Sequence, residues 1–463
     1  MAASNNEEAL NGVHGHQDNG HQENGVDDIA SSSQVLVVGG GAVGSLTAYK
    51  LGRAGIDVTV IEKLPGVSDS PRACGYYGAV HFMLHEVGLY DLIRKEGFMT
   101  RGLCWRKKPT DDGKGGKASG DMIAIQPLSA PNDTTFEVGA GLLNLPQADL
   151  NKLFLREALK TGHVRVHYNT ELVSILENDP STGVTVRLRN NETNAERKLH
   201  ASYLVGADGA HSVVRKALSL PFPGHTWPER LIATNVMVYN EIDPIWHTFF
   251  VIDPVHYTIA TPLEDPVPGK TTLWRYTIAA APDDTRKVEE LITDENIMGL
   301  YENCMAGPRP LQVEIKARTT YKIHQRCVPT MRKGNCLLAG DAAHVNCPYG
   351  ALGLNTGMLD ADALAETLIM ILNEPQKYPK ADDLLSLYSD ERRKVFQFFV
   401  DPTSTQNKLR LHSHPEETAS QEDWLFRMMR DPSKLSPRQL EELARPYYET
   451  WRTDMRKLVG DLA

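Results

Sequence analysis

One stretch near the start limits what this chain can fold into: Gln34-Val-Leu-Val-Val-Gly-Gly-Gly-Ala-Val-Gly-Ser-Leu-Thr-Ala-Tyr-Lys-Leu-Gly-Arg-Ala-Gly55. Val35 to Val38 is an apolar run suited to a buried parallel strand. Gly39, Gly41 and Gly44 follow at G-x-G-x-x-G spacing. A helix then opens, with Val43, Leu46, Ala48 and Leu51 on or near one face. A second strand, Asp57 to Ile61, ends in Glu62 and Lys63. Gly39 suits the tight turn, Gly41 lets backbone approach a pyrophosphate, and Gly44 lets helix and strand pack closely. The helix N-terminus offers unpaired N–H groups and partial positive charge to phosphates. Glu62 is placed to accept ribose hydroxyls. The spacing predicts a βαβ dinucleotide-binding unit.

The chain has 463 residues, which predicts two or three subdomains. Its net charge of −10 argues against a nucleic-acid or anionic-membrane partner. The six cysteines form no C-x-x-C, so neither a zinc site nor dithiol chemistry is expected; they read as reduced thiols of a cytoplasmic protein. The best apolar run, Leu364 to Leu372, is short and contains Glu366 and Thr367, so no membrane span is expected. No signal peptide is read. Asn132 and Asn191 fit the glycosylation pattern by chance in such a chain. Residues 1–33 carry few apolar groups and are expected to be disordered; His14, His16 and His21 there read as tail composition, and no metal is expected.

Further along, Tyr203-Leu-Val-Gly-Ala-Asp-Gly-Ala-His-Ser-Val-Val-Arg-Lys216 predicts a buried strand, a sharp turn at Asp208-Gly209, and a short helix capped by Ser212. Residues 106–120 read as a surface loop and 221–324 mostly as strands rich in aromatic residues. Gly334 to Gly340 predicts a strand ending at Asp341. A loop through Pro348 follows, then a helix from about Thr356 to Leu372. Residues 383–400 and 421–460 look helical and charged, as if packed on the outside.

These motifs, in this order, resemble the single-component FAD-dependent monooxygenases of the p-hydroxybenzoate hydroxylase type over roughly residues 34–400. The resemblance implies an α/β fold: a Rossmann-like FAD-binding domain with an inserted, mostly antiparallel β substrate domain and C-terminal helices. It divides the chain into the tail, 1–33; a discontinuous FAD-binding domain, 34–105, 141–220 and 325–400; a substrate domain, 106–140 and 221–324; and a helical C-terminal region, 401–463. It implies FAD as cofactor. Gly39, Gly41, Val43, Gly44, Glu62 and Lys63 would lie at the ADP half. Arg72 would contact the phosphate–ribityl region, and Gln147 would be a cofactor-facing polar residue. Asp208 and Gly209 would face both FAD and NAD(P)H phosphates. Asp341 would bind a ribityl hydroxyl, Pro348 would lie beside the flavin ring, and Gly353, Leu354 and Asn355 would face flavin N1 and O2. On their own residues, Asp341 also suits a helix N-cap and Arg72 a surface ion pair. The loop Tyr349-Gly-Ala-Leu-Gly353 has fewer glycines than the family pattern and lacks its glutamine.

The function implied is NAD(P)H- and O₂-dependent oxygenation, hydroxylation or epoxidation, of an electron-rich, largely apolar small molecule through a flavin C4a-hydroperoxide. Baeyer–Villiger or dearomatising oxygenation, or reduction of an isoprenoid double bond on the same fold, are the alternatives. The halogenase signature W-x-W-x-I-P is absent. No catalytic side chain is named, because the flavin carries the chemistry. A monomer or homodimer is expected.

Overall fold

The computed structural model describes residues 30–239, 245–267, 269–416 and 423–462. Its first eight-stranded sheet grows from β1 (Ser32–Val38), α1 (Ala42–Arg53) and β2 (Val58–Ile61). β1 lies between β2 and Glu196–Gly206, parallel to both. Val164–His167 adds in parallel outside β2, and Cys336–Leu338 adds in parallel to the end of Glu196–Gly206. Thr170–Asp179 and Gly183–Asn190 extend the sheet as an antiparallel pair. Val35, Leu36 and Val37 are fully buried, so β1 reads as an unbroken apolar run and does not alternate. β1 begins at Ser32, inside the stretch read as tail; residues 1–29 lie outside the described residues.

The second eight-stranded sheet orders His344–Val345, Glu314–Cys327, Gly224–Tyr239, Thr271–Ala279, Thr258–Pro262, Thr248–Val251, Gly102–Arg106 and Met122–Pro127. Neighbours are antiparallel except Thr248–Val251 with Gly102–Arg106. The fold is therefore the expected one: α/β, with an inserted, mostly antiparallel sheet and C-terminal helices. Gly102–Arg106 belongs to this second sheet, whereas the sequence reading grouped residues up to 105 with the first. Five residues are too few for periodicity to say which sheet they join.

The two faces of the second sheet have different partners. Ile232, Val236, Val238, Trp274, Tyr276 and Ile278 pack under the helix Asp294–Cys304 through Leu300 and Tyr301. On the other face Leu231, Phe250, Tyr257 and Ala279 form one cluster with Trp105, Tyr349 and the C-terminal Phe426. Adjacent residues in a strand point to opposite faces. The aromatic residues of this region therefore divide between plain core and the inner face.

The long helix begins at Leu352, earlier than Thr356. The C-terminal segment is also more deeply placed than its charge suggests. Trp451 and Met455 are fully buried in the core cluster of the first sheet.

Candidate active site

The glycine loop between β1 and α1 is shaped by close contacts. Gly39 has φ +106°, and a Cβ there would lie 2.4 Å from the Ala207 carbonyl oxygen. A Cβ on Gly44 would lie 2.0 Å from the Gly39 carbonyl oxygen, whereas one on Gly41 would meet nothing within 4 Å. Gly41 is the N-cap of α1; no side chain caps the helix and no acid lies in its first turn. Its leading amides are thus open to an anion. Glu62 is fixed beside them: its two carboxylate oxygens accept from Gly40 N–H at 2.8 Å and Leu64 N–H at 2.9 Å. Lys63 is exposed. Asn151 braces the loop from the helix Gln147–Lys160, donating to the Gly40 carbonyl at 2.8 Å and accepting from the Ser45 hydroxyl at 2.8 Å. Gln147 heads that helix, half-buried, and its amide donates to the Ala73 carbonyl, next to Arg72.

The motifs converge in space. Val43 lies against Gly340 and Gly357: a Cβ on either would come within 3.0 and 2.8 Å of its Cγ2. Arg215 of the second motif donates to the Ala342 carbonyl at 2.9 Å. Gly340 N–H donates to Asp360 Oδ2 at 3.0 Å, and the same carboxylate accepts from His344 Nε2 and Arg392 Nε, each at 2.7 Å. All three side chains are buried. Burial pushes Asp360 up, but the charges and hydrogen bonds of His344 and Arg392 outweigh it and hold its carboxyl below the ordinary value. No short-range sequence signal marks this triad, whose members come from three separate elements.

Asp341 is the contrast. Its carboxylate has no hydrogen-bond partner among the described residues, so it is not a helix cap. It is exposed but crowded enough that desolvation raises its pKa, against the lowering effect of His344 and Arg72. Arg72 is exposed and makes no ion pair with a described residue. The two groups face each other's field with their hydrogen-bonding capacity free.

Asp208 is already engaged. It accepts from the Ser212 hydroxyl at 2.5 Å and from the amides of Val213 and Val214 at 2.6 and 3.2 Å. Ser212 caps Val213–Ala217, as its position suggested. Gly209, at φ +78°, makes the turn before it. Further along the chain, Pro348 is half-buried and Ala351 takes a left-handed φ of +53° as N-cap of Leu352–Asn373. This helix too has no side-chain cap and no acid in its first turn, which contains Gly353, Leu354 and Asn355. Asn355 is buried and donates to the carbonyls of Gly75 and Ala351 at 3.0 and 2.7 Å, while its Oδ1 has no partner.

Two uncapped helix N-termini, an oriented carboxylate at Glu62 and a free one at Asp341 fit a dinucleotide better than a metal. Among the described residues no group of three or more His, Cys, Asp or Glu could hold a metal ion. The cysteines are free, and burial pushes Cys304, Cys327, Cys336 and Cys347 up to about 12, far from thiolate chemistry. A small pocket near Val238, Phe249, Tyr276 and Cys304 lies on the helix-packed face of the second sheet.

Residues 32–403 match the FAD-binding-domain family. The chain belongs to this family of FAD-binding proteins. It is 34% identical over 375 residues to the para-nitrophenol 4-monooxygenase of Pseudomonas sp. strain WBC-3, covering 81% of this chain and 86% of that one. It is 29% identical over 400 residues to the 6-hydroxy-3-succinoylpyridine 3-monooxygenase of Pseudomonas putida, covering 86% and 93%. The solved p-nitrophenol 4-monooxygenase of Pseudomonas putida DLL-E4 superposes with a TM-score of 0.72 at 31% identity, covering 94% of this chain and 98% of that one. The protein is an FAD-dependent aromatic monooxygenase. Among the described residues of this monooxygenase no helix is long and apolar enough to cross a membrane.

Proposed function

We propose that this monooxygenase uses NADPH or NADH and O₂ to hydroxylate a phenol-type aromatic ring. The observation that carries the reading is the inner face of the second sheet. It presents Trp105, Phe250 and Tyr257 in one apolar cluster with Tyr349, one residue beyond Pro348. A substrate ring bound beside this packed wall would lie against the loop that leads into the uncapped helix Leu352–Asn373. The relatives' names support the choice: both contain a hydroxylated or nitrated six-membered aromatic ring.

FAD, when bound, supplies acceptance of a hydride and transfer of one oxygen atom from O₂. The chain's residues hold and surround it. The amides at Gly41, Val43 and Gly44 take the pyrophosphate, Glu62 the adenosine ribose with Lys63 at its edge, and Arg72, Gln147 and Asp341 the ribityl and phosphate region. The first-turn amides at Gly353, Leu354 and Asn355 stabilise negative charge on the flavin's pyrimidine side. Pro348 packs beside the ring. Gly209 offers backbone toward visiting NAD(P)H, while Asp208 shapes that surface through its hydrogen bonds to Ser212 and to the amides of Val213 and Val214. The apolar inner face excludes water from the reacting ring.

The test is a panel of phenols assayed for faster NADPH and NADH oxidation, with peroxide measured in parallel and products weighed after reaction in ¹⁸O₂. Coupled turnover with one labelled oxygen in the product is expected. Label confined to water or peroxide for every phenol would overturn the proposal in favour of an oxidase or reductase.

A further inference from the structure

The loop that carries Pro348 is held at three backbone points, each by a side chain from a different part of the chain. Cys347 N–H donates to Gln325 Oε1 at 3.0 Å. The Tyr349 carbonyl accepts from Asn407 Nδ2 at 3.4 Å, and the Gly350 carbonyl from the Tyr77 hydroxyl at 2.6 Å. Gln325 lies near the end of the strand Glu314–Cys327, Asn407 on the helix Asp401–Leu411, and Tyr77 just past the strand Gly75–Tyr76. Cys347 and Tyr349 are buried.

Gln325 ties the loop to that helix as well. It is 4% exposed, and its Nε2 donates to Asp401 Oδ1 at 2.6 Å and to the Ser404 hydroxyl at 2.9 Å. Both ends of one side-chain amide are engaged, which fixes its orientation. Ser404 closes the circuit, its carbonyl accepting from the Cys347 thiol at 3.0 Å. Proline has no N–H, so the Cys347 amide is the last backbone donor before Pro348 turns the chain. Ala351 N–H then closes the turn on the Pro348 carbonyl at 3.1 Å, and the helix Leu352–Asn373 begins. The left-handed φ of Ala351 is unfavourable for a residue with a side chain and persists where its surroundings impose it. Ser404 and Asn407 lie beyond residue 403, where the family match ends. The loop they brace is the one whose glycines depart from the family pattern.

We propose that Gln325 is a positioning residue: it fixes residues 346–351 so that the uncapped first turn, with Gly353, Leu354 and Asn355, aims its amides at the flavin. The inference deepens the proposed reading and rests on its placement of that turn at the flavin's pyrimidine side. Amides held in place favour the negative charge that the flavin takes on when reduced, so Gln325 raises the reduction potential through the loop.

The test compares the FAD-loaded enzyme with Gln325→Met, Gln325→Glu and the swap Gln325→Glu/Asp401→Asn. The swap conserves net charge and reverses one hydrogen bond: the amide introduced at 401 donates to the carboxylate introduced at 325, which still accepts from Cys347 N–H. Two quantities are read, the flavin's two-electron reduction potential and the hydrogen exchange of backbone amides in 346–351, with the strand Thr271–Ala279 as internal reference. In Gln325→Met, exchange in 346–351 should be ten-fold or more faster and the reference strand unchanged. The preference for reduced over oxidised FAD should fall about ten-fold, which lowers the potential by about 30 mV. Gln325→Glu, which sets two carboxylates against each other, should do the same, and the swap should restore both quantities. A merely structural glutamine would speed exchange throughout and leave the potential where it was, and that result would overturn the proposal. So would unchanged exchange in 346–351, or a swap that restores nothing. If Gln325→Met does not fold, Gln325→Glu against the swap decides alone. Faster local exchange, reversed by the swap, with an unmoved potential would take the flavin away from this turn and overturn the placement and the proposal together. Phenols left unoxygenated, with the potential shift and its rescue intact, would overturn the activity reading and leave this one standing.

Discussion

The indole N–H of Trp451 donates to the hydroxyl of Thr356 across 2.9 Å, inside the protein. Both residues are fully buried. Thr356 lies at the start of the long helix whose first turn holds Gly353, Leu354 and Asn355. The Trp451 carbonyl meanwhile accepts from Arg392 Nη1 at 2.8 Å. The C-terminal segment is thus built against the start of that helix.

Removing this contact should destabilise the enzyme and loosen the cofactor together. Trp451→Phe keeps the ring but strips the donor, at about 1–3 kcal/mol for a buried group left unsatisfied. Trp451→Ala adds a cavity beside Tyr77 and Phe399, whose rings lie 5.4 and 5.8 Å away, for a total of about 3–5 kcal/mol. Urea unfolding followed by flavin fluorescence checks both. Unchanged midpoints for Trp451→Ala would deny the segment a structural role.

Asp341 should separate cofactor affinity from folding. Its carboxylate has no protein hydrogen bond to lose, so Asp341→Ala should shift apoprotein stability by less than about 0.5 kcal/mol. A charge-assisted hydrogen bond to FAD is worth about 1.5–3 kcal/mol, so the FAD dissociation constant should rise about ten- to hundred-fold. Titrating FAD into the apo-variant measures this. An unaltered constant would move Asp341 away from the cofactor.

Asp360 should behave in the opposite way. Asp360→Asn leaves Arg392 buried without its counter-charge, at about 3–5 kcal/mol. The folded pKa of Asp360 lies below 3.8, so its contribution is present above the ordinary carboxylate range and is lost as pH falls through the folded value. Acid unfolding of the parent should therefore carry a component, below about pH 4, that the variant lacks. Parallel acid-unfolding curves for the two proteins would contradict this.

His81 is expected to dominate a milder acid sensitivity. It is fully buried, with Nε2 set to donate to the Tyr76 carbonyl at 2.9 Å and Nδ1 without a partner. Burial pushes its pKa from 6.5 down to about 4. Between those values the unfolded chain binds a proton that the native state refuses, so stability falls as pH drops through this window, by up to about 3 kcal/mol. His81→Gln keeps a donor for Tyr76 and should flatten that slope. Denaturant midpoints at about pH 7 and about pH 5 give the difference, and an equal slope in both proteins would assign the sensitivity elsewhere.

Much of the fold was legible because its signals are local. The βαβ start, the turn at Gly209 and the Ser212 cap each depend on a few adjacent residues, and the strand Thr271–Ala279 begins and ends where its alternation does. The helix start at Leu352 was read too late because Ala351 turns the chain in a left-handed conformation that its residue type does not advertise. Gly102–Arg106, at the expected end of an FAD-binding segment, pairs into the second sheet because partners far apart in sequence decide where a short strand goes.

The sequence by itself determined the family, the cofactor class and the glycine-shaped phosphate loop; the steric demand at Gly44 acts between near neighbours, Gly39 and Val37, whereas that at Gly39 comes from Ala207. Tertiary structure alone decided which charges are met. Asp360 meets His344 and Arg392, Trp451 meets Thr356, and Asp341 and Arg275 meet no oppositely charged group in hydrogen-bond reach among the described residues. The physical reason is that burial and pairing are properties of the space between elements, where a carboxylate's or guanidinium's free energy is set by neighbours from other elements, 16 and 32 residues away for Asp360.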